Sequence, residues 1–196
     1  MTELKMLSDT ALIRVFQEGN ATALDKLIDR YKDKLYSTIF FLVKDQWIAD
    51  DIYQDTFIRI IDTLRFNRYN EQGKFLPWAA RIAHNLCIDY FRKQKRQPPV
   101  VTSESSDIKD IFEMIDSNMD NAEQRMMRDQ SYCKMYQMLD ELPADQREVI
   151  VLRHFADLSF KEIASLTNCS INTALGRMRY GLINLRKMMT EKSIVL

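Results

Sequence analysis

A chain of 196 residues, 46% hydrophobic and 29% charged, is long enough for one large or two small domains and too apolar to be disordered throughout. Four Gly and four Pro leave little turn chemistry for hairpins, whereas abundant Leu, Ile, Met, Lys and Arg favour helices, so an all-α fold is expected. The net charge of zero, which would argue against a nucleic-acid partner, is a cancellation: residues 1–97 carry 16 basic and 13 acidic side chains, residues 98–129 carry 3 and 8, and residues 130–196 carry 9 and 7.

The basic charge is focused further. Arg81, Arg92, Lys93, Lys95 and Arg96 lie close along the chain with Asp89 as the one acid among them, and Arg177, Arg179, Arg186 and Lys187 fall in a stretch with no acid. Two cationic patches are what a protein touching DNA at two places needs. Glu3, Asp9 and Glu18 interrupt the start, so no signal peptide is expected, and Ile39 to Val43 is too short a greasy run to cross a bilayer. Cys87, Cys133 and Cys169 are odd in number and scattered, as suits reduced thiols in a cytoplasm.

In chain order, Leu24, Leu27, Ile28, Tyr31, Leu35, Ile39 and Leu42 follow helical spacing after Gly19-Asn20, a stop and an N-cap. A second helix is predicted from near Asp45, turning Ile48, Ile52, Ile60, Ile61 and Leu64 inward until Asn67 to Gly73 breaks the pattern. A third is predicted from about Pro77, a good first-turn residue, through Trp78, Ile82, Leu86 and Tyr90. Residues 1–97 thus form a first helical domain. Pro98-Pro99 and the Ser-rich, acidic stretch beyond lack periodicity, so residues 98–121 are read as a flexible acidic linker, with a short helix over Ile108 to Ile115. Helical pattern resumes at Ala122 and runs through Met135, Met138 and Leu142, where Leu142-Pro143 closes one helix and opens the next within a second domain, residues 122–196.

The stretch from Asp157 to Thr173 carries a helix-turn-helix. Ser159 and Glu162 have capping-box spacing, Ile163 and Leu166 face inward, and Ala164 is small enough for a second helix to approach. Asn168 stands where the turn needs a left-handed residue, and Ser170 caps the second helix of the motif. In that last helix Ala174, Leu175, Met178, Leu182 and Leu185 are expected to form the inward stripe, with Thr173, Arg177, Tyr180 and Asn184 on another face flanked by Arg179 and Lys187. Hydroxyl, guanidinium and amide groups without a carboxylate suit major-groove base edges and phosphates.

The runs from Ala49 to Arg59 and from Phe75 to Lys93 resemble regions 2.2 to 2.4 of extracytoplasmic-function (ECF) sigma factors of the sigma-70 family, and Leu142-Pro-Ala-Asp-Gln-Arg-Glu-Val with the helix-turn-helix resembles their region 4. The resemblance implies a non-enzymatic transcription initiation factor that binds core RNA polymerase, directs it to promoter DNA and helps melt it. It puts polymerase docking on Asp50, Asp51, Gln54, Asp55, Phe57 and Arg59, where acids and an amide at helical spacing offer charge-assisted bonds to a basic partner helix. It puts −10 recognition on the loop from Asn70 to Phe75 and on Asn85 and Asp89, with Arg81, Arg92, Lys93, Lys95 and Arg96 on phosphates. Trp78, which shares a face with Ile82 and Leu86, is expected to pack inward rather than stack on a base, and Phe75 is the other stacking candidate. It puts −35 recognition on Ser170, Asn172, Thr173, Gly176, Arg177, Arg179 and Tyr180.

In the family the linker threads toward the RNA exit path; here it could equally serve as a plain tether. An anti-sigma factor, membrane-bound for many members, is a further partner that the resemblance implies. Family recognition helices commonly carry Val, a polar or basic residue and Ser where this chain has Ala174, Leu175 and Gly176, and a basic residue where it has Tyr180, so the resemblance leaves the −35 sequence open. His84 and Cys87 sit three apart on one helix but lack companion ligands, and are read as structural. The chain has no phosphate-binding Gly loop, nucleophile elbow, zinc-protease motif or calcium loop, so no cofactor, metal or small-molecule substrate is expected. The rival reading is a helix-turn-helix regulator that binds an operator without polymerase.

Overall fold

The computed structural model describes residues 6–69, 74–96 and 137–192, which fall into two compact units. Every regular element among them is a helix, and none is long and apolar enough to cross a membrane. The linker and the stretch from Ala122 to Met135 lie outside the described residues.

The first unit holds α1 (Asp9–Gln17), α2 (Ala21–Val43), α3 (Gln46–Arg65) and α4 (Phe75–Arg96). Each of the first three starts on a side chain that accepts a backbone N–H bond: Ser8 from Ala11, Asn20 from Thr22 and Asp45 from Ile48. Lys44 ends α2 in the left-handed region at φ 62°, so α3 begins only two residues later. Leu12, Leu27, Leu35, Ile39, Ile60, Leu64 and Phe75 are fully buried between the four helices. Helix α1, unread in the sequence, is tied to α2 where Asp9 accepts from Arg30 at 2.6 Å and from the Tyr31 hydroxyl at 2.5 Å.

Helix α4 begins two residues before the predicted Pro77 and packs differently from expectation. Its small residues Ala79, Ala80, Ala83 and Cys87 enter the core with His84, while Trp78, Ile82 and Tyr90 are half-buried. Small side chains let α4 approach its neighbours closely; Phe75, Leu76 and the expected Leu86 are buried with them.

The second unit holds α5 (Ala144–His154), α6 (Phe160–Leu166) and α7 (Ile171–Glu191), preceded by a helical stretch over 137–141 that ends at Leu142-Pro143 as expected. Val149, Leu152, Leu158 and Ile163 are fully buried here. The capping box forms in full: the Ser159 hydroxyl accepts from the Glu162 N–H, and the Glu162 carboxylate accepts from the Ser159 N–H at 2.8 Å. Asn168 sits at φ 52°, the left-handed turn predicted for it, and the Ser170 hydroxyl accepts from the Thr173 N–H at 3.0 Å.

Candidate nucleic-acid and polymerase interfaces

Asp51, Gln54, Asp55 and Arg59 lie exposed along α3, opposite the buried Ile52, Thr56, Ile60 and Leu64. Asp50 is half-buried and accepts from the Tyr36 hydroxyl at 2.9 Å; burial first, then that bond, push the phenol above its ordinary range. Phe57 corrects the expectation. It is 8% exposed and packs edge-to-face on Tyr53 at 4.8 Å, so it supports the helix from within rather than meeting a partner.

The same exposed face carries two apolar side chains that sequence reasoning passed over, Trp47 at 80% and Ile58 at 56% exposure. At 3.6 residues per turn, eleven positions bring Ile58 back to within about 20° of Trp47, with Asp51 and Gln54 between them. An exposed indole two residues after an N-cap aspartate was the signal available in the chain. An apolar anchor at each end of an acid-and-amide strip is the composition of a protein-binding surface, where Trp supplies much of the affinity and charge supplies register.

On α4, Arg81, Asn85, Asp89, Arg92 and Arg96 recur at three- and four-residue spacing and so share one stripe, with Lys93 and Lys95 beside it. All but Asp89 are exposed, and Asp89 is half-buried with Arg92 at 3.4 Å. Asp51, Asp55 and Arg59 of α3 and Asp89, Arg92, Lys93 and Arg96 of α4 line one groove of about 360 Å³ floored by Ile52 and Leu86. The fold therefore brings polymerase-docking and −10 candidates to the two walls of one cleft.

Asn70 lies outside the described residues. Phe75 is corrected: at 1% exposure it is the centre of an aromatic cluster with Tyr31 at 5.4 Å and Trp78 at 5.6 Å, so its ring is not a platform for a base. Trp78 is half-buried, with its ring against Tyr69 at 4.4 Å, and so enters the core less fully than its spacing with Leu86 predicted. His84 and Cys87 are both buried on α4, and burial pushes the Cys87 thiol up to about 12.

On α7 the faces differ from expectation. Ala174 and Gly181, seven positions apart, are the buried contacts, whereas Leu175 and Leu182 are 44% and 43% exposed. Gly181 takes the seam with α5, where a Cβ on it would stand 2.8 Å from Ile150 Cδ1. Arg177 and Asn184 belong to that seam's edge rather than to the open face. Arg177 Nε lies 3.1 Å from Asp145 Oδ2, and the Asn184 amide donates to Gln146 at 2.9 Å. Ser170 and Thr173 share a hydroxyl contact at 2.8 Å at the helix start, while Asn172, Arg179 and Tyr180 face outward and Gly176 is half-exposed.

The sigma-70 region 2 model matches residues 27–97 and the sigma-70 region 4 model matches residues 134–175. The RNA polymerase sigma-H factor of Pseudomonas aeruginosa is 28% identical over 172 residues, covering 87% of this chain and 88% of that protein. The ECF RNA polymerase sigma-E factor of Escherichia coli is 29% identical over 180 residues, covering 89% and 90%. In fold, the chain is similar to the sigma factor RpoE crystallised with the anti-sigma factor NepR from Bartonella quintana (TM-score 0.59, 17% identity, covering 85% of this chain and 96% of that one). It is also similar to CnrH in complex with the cytosolic domain of CnrY (TM-score 0.58, 22% identity, covering 93% and 97%). With regions 2 and 4 in order along one sequence and relatives matched over nearly their full length, the chain belongs to the ECF sigma factors of the sigma-70 family.

Proposed function

We propose that this chain confers promoter specificity on core RNA polymerase by three surfaces: the α3 face docks on the polymerase, the α4 stripe holds the opened −10 strand, and the outward face of α7 enters the −35 major groove. Residues 1–97 carry the first two tasks and residues 122–196 the third, with the acidic segment between them as tether. The observation that carries this reading is the α3 face itself. A regulator that binds an operator alone needs the helix-turn-helix, but has no use for an exposed Trp47 set in line with Asp51, Gln54 and Ile58.

Melting in this scheme needs no catalytic group. The α4 cations and the Asn85 amide favour the opened strand over the duplex, at an unstacking cost on the order of a few kcal/mol. The chain acts without a cofactor, in the cytoplasm where its polymerase works. A protein that covered the α3 face would silence it, and an anti-sigma factor is a partner of that kind.

Core polymerase mixed with this chain is expected to start RNA synthesis at defined positions across a promoter library, and core alone is not. Trp47→Ala is expected to weaken polymerase binding by about 2 kcal/mol, and Asp51→Ala with Asp55→Ala to weaken it as well. Trp47 emission should shift to the blue as the indole leaves water. Unchanged start sites, together with tight operator binding by the chain alone, would establish the rival regulator.

A further inference from the structure

The outward face of α7 is apolar to a degree unusual for a surface that meets a polyanion. Ile171, Leu175 and Tyr180 are 46%, 44% and 62% exposed there, beside Arg179, and no acid occurs in the helix before Glu191. With 3.6 residues per turn, Asn172, Leu175, Gly176 and Arg179 come round to one side in the first turns, away from the Ala174 and Gly181 seam. The N-terminal half of a recognition helix is the part that reaches base edges.

Gly176 sharpens the reading. A Cβ there would meet nothing within 4 Å, so no internal packing requires its absence. Glycine within a helix sacrifices helical stability relative to alanine, and what it offers in return is room for an outside body to approach the backbone. In the major groove the apolar feature offered by a base pair is the C5-methyl of thymine, a contact that aliphatic side chains make.

We propose that Leu175, next to the open backbone at Gly176, reads thymine methyl groups in the −35 element, so that specificity there comes in part from burying methyls rather than from hydrogen bonds alone. The proposal rests on α7 being the −35 reader. Charge favours DNA as the occupant of this face: Arg179, Arg186 and Lys187 are exposed along it, the helix carries no acid before Glu191, and Asp145 of α5 already engages Arg177.

The test uses holoenzyme assembled from core polymerase and the full chain. A duplex preferred by it is selected from a pool randomised at the −35 position, and each thymine is replaced in turn by deoxyuridine, which removes the methyl and keeps every hydrogen-bonding group. At one thymine or more, methyl removal is expected to weaken binding about fourfold, the worth of one buried methyl group. Leu175→Ala holoenzyme is expected to bind the parent duplex more weakly and to be indifferent to that same replacement. Since Leu175 is exposed, the variant should melt at the parent's temperature. A −35 preference that survives every deoxyuridine replacement in the parent, or equal methyl sensitivity in Leu175→Ala, would overturn the proposal and assign the apolar face to a protein contact. The absence of any −35 preference would instead overturn the reading of α7 on which it rests.

Discussion

Arg177 gives part of its charge to Asp145, 3.1 Å away, before any DNA arrives. In the proposed role of α7, a guanidinium held in this way at the edge of the α5 seam is expected to engage phosphate rather than a base edge. Arg177→Ala is therefore expected to weaken binding to a −35 duplex about equally on all sequences and to lower the slope of log affinity against log salt by about 1, measured by titration at several salt concentrations. A loss confined to duplexes with one particular base pair would show that the arginine reads sequence. Its residue type and its place in a basic stretch were legible in the chain; its partner was not, because Asp145 lies 32 positions earlier and only packing brings the two together. The same limit separates Phe57 from Ile58. Both are apolar and adjacent, so periodicity requires that one turn inward, and the Tyr53 ring decides that it is Phe57.

Two glycines in α7 have opposite structural meanings. At Gly181 a Cβ would strike Ile150 Cδ1 at 2.8 Å, whereas at Gly176 it would meet open space. Gly181→Ala is expected to destabilise the second unit by about 1–3 kcal/mol through overpacking. Gly176→Ala is expected to stabilise it by about 1 kcal/mol through helix propensity. Denaturant titration of the two variants checks both, and equal effects would mean that the seam can yield at Ile150. Element starts were the most legible part of the fold, because caps are local chemistry: Asn20, Asp45, Ser159 and Ser170 all stand where their side chains promised. Helix faces were less legible. Hydrophobicity placed Ala174 in the α7 seam correctly but added Leu175 and Leu182, which are exposed, and passed over Gly181, whose burial follows from volume, a criterion that an apolar count does not contain. Nine-residue α1 escaped notice because so short a helix draws its stability from packing and from Asp9 bonding Arg30 and Tyr31 across the chain.

For the molecule as a whole, the buried and half-buried titratable groups of the first unit predict an alkaline limit. Burial, the largest cause for each, pushes Tyr31, Tyr53 and Cys87 up to about 12 from ordinary values of 10.0, 10.0 and 9.0. A folded-state value above the unfolded one contributes stability that is full at low pH and lost as pH rises, so these groups stabilise fully below about pH 9 and lose that contribution progressively toward pH 12. The midpoint of denaturant unfolding, followed by circular dichroism, is expected to fall over that window; a midpoint unchanged to pH 11 would mean that the phenols and the thiol ionise in place. Charge at this scale was legible only by segment, since the sum of zero conceals basic ends around an acidic middle. The division of labour within α7 has a practical consequence. Its hold on α5 comes from Arg177, Gly181 and Asn184, while Asn172, Leu175, Arg179 and Tyr180 are exposed. The outward positions are thus free to be diversified without disturbing the scaffold, so one backbone could be re-addressed to many artificial start sites and supply a set of mutually insulated genetic switches.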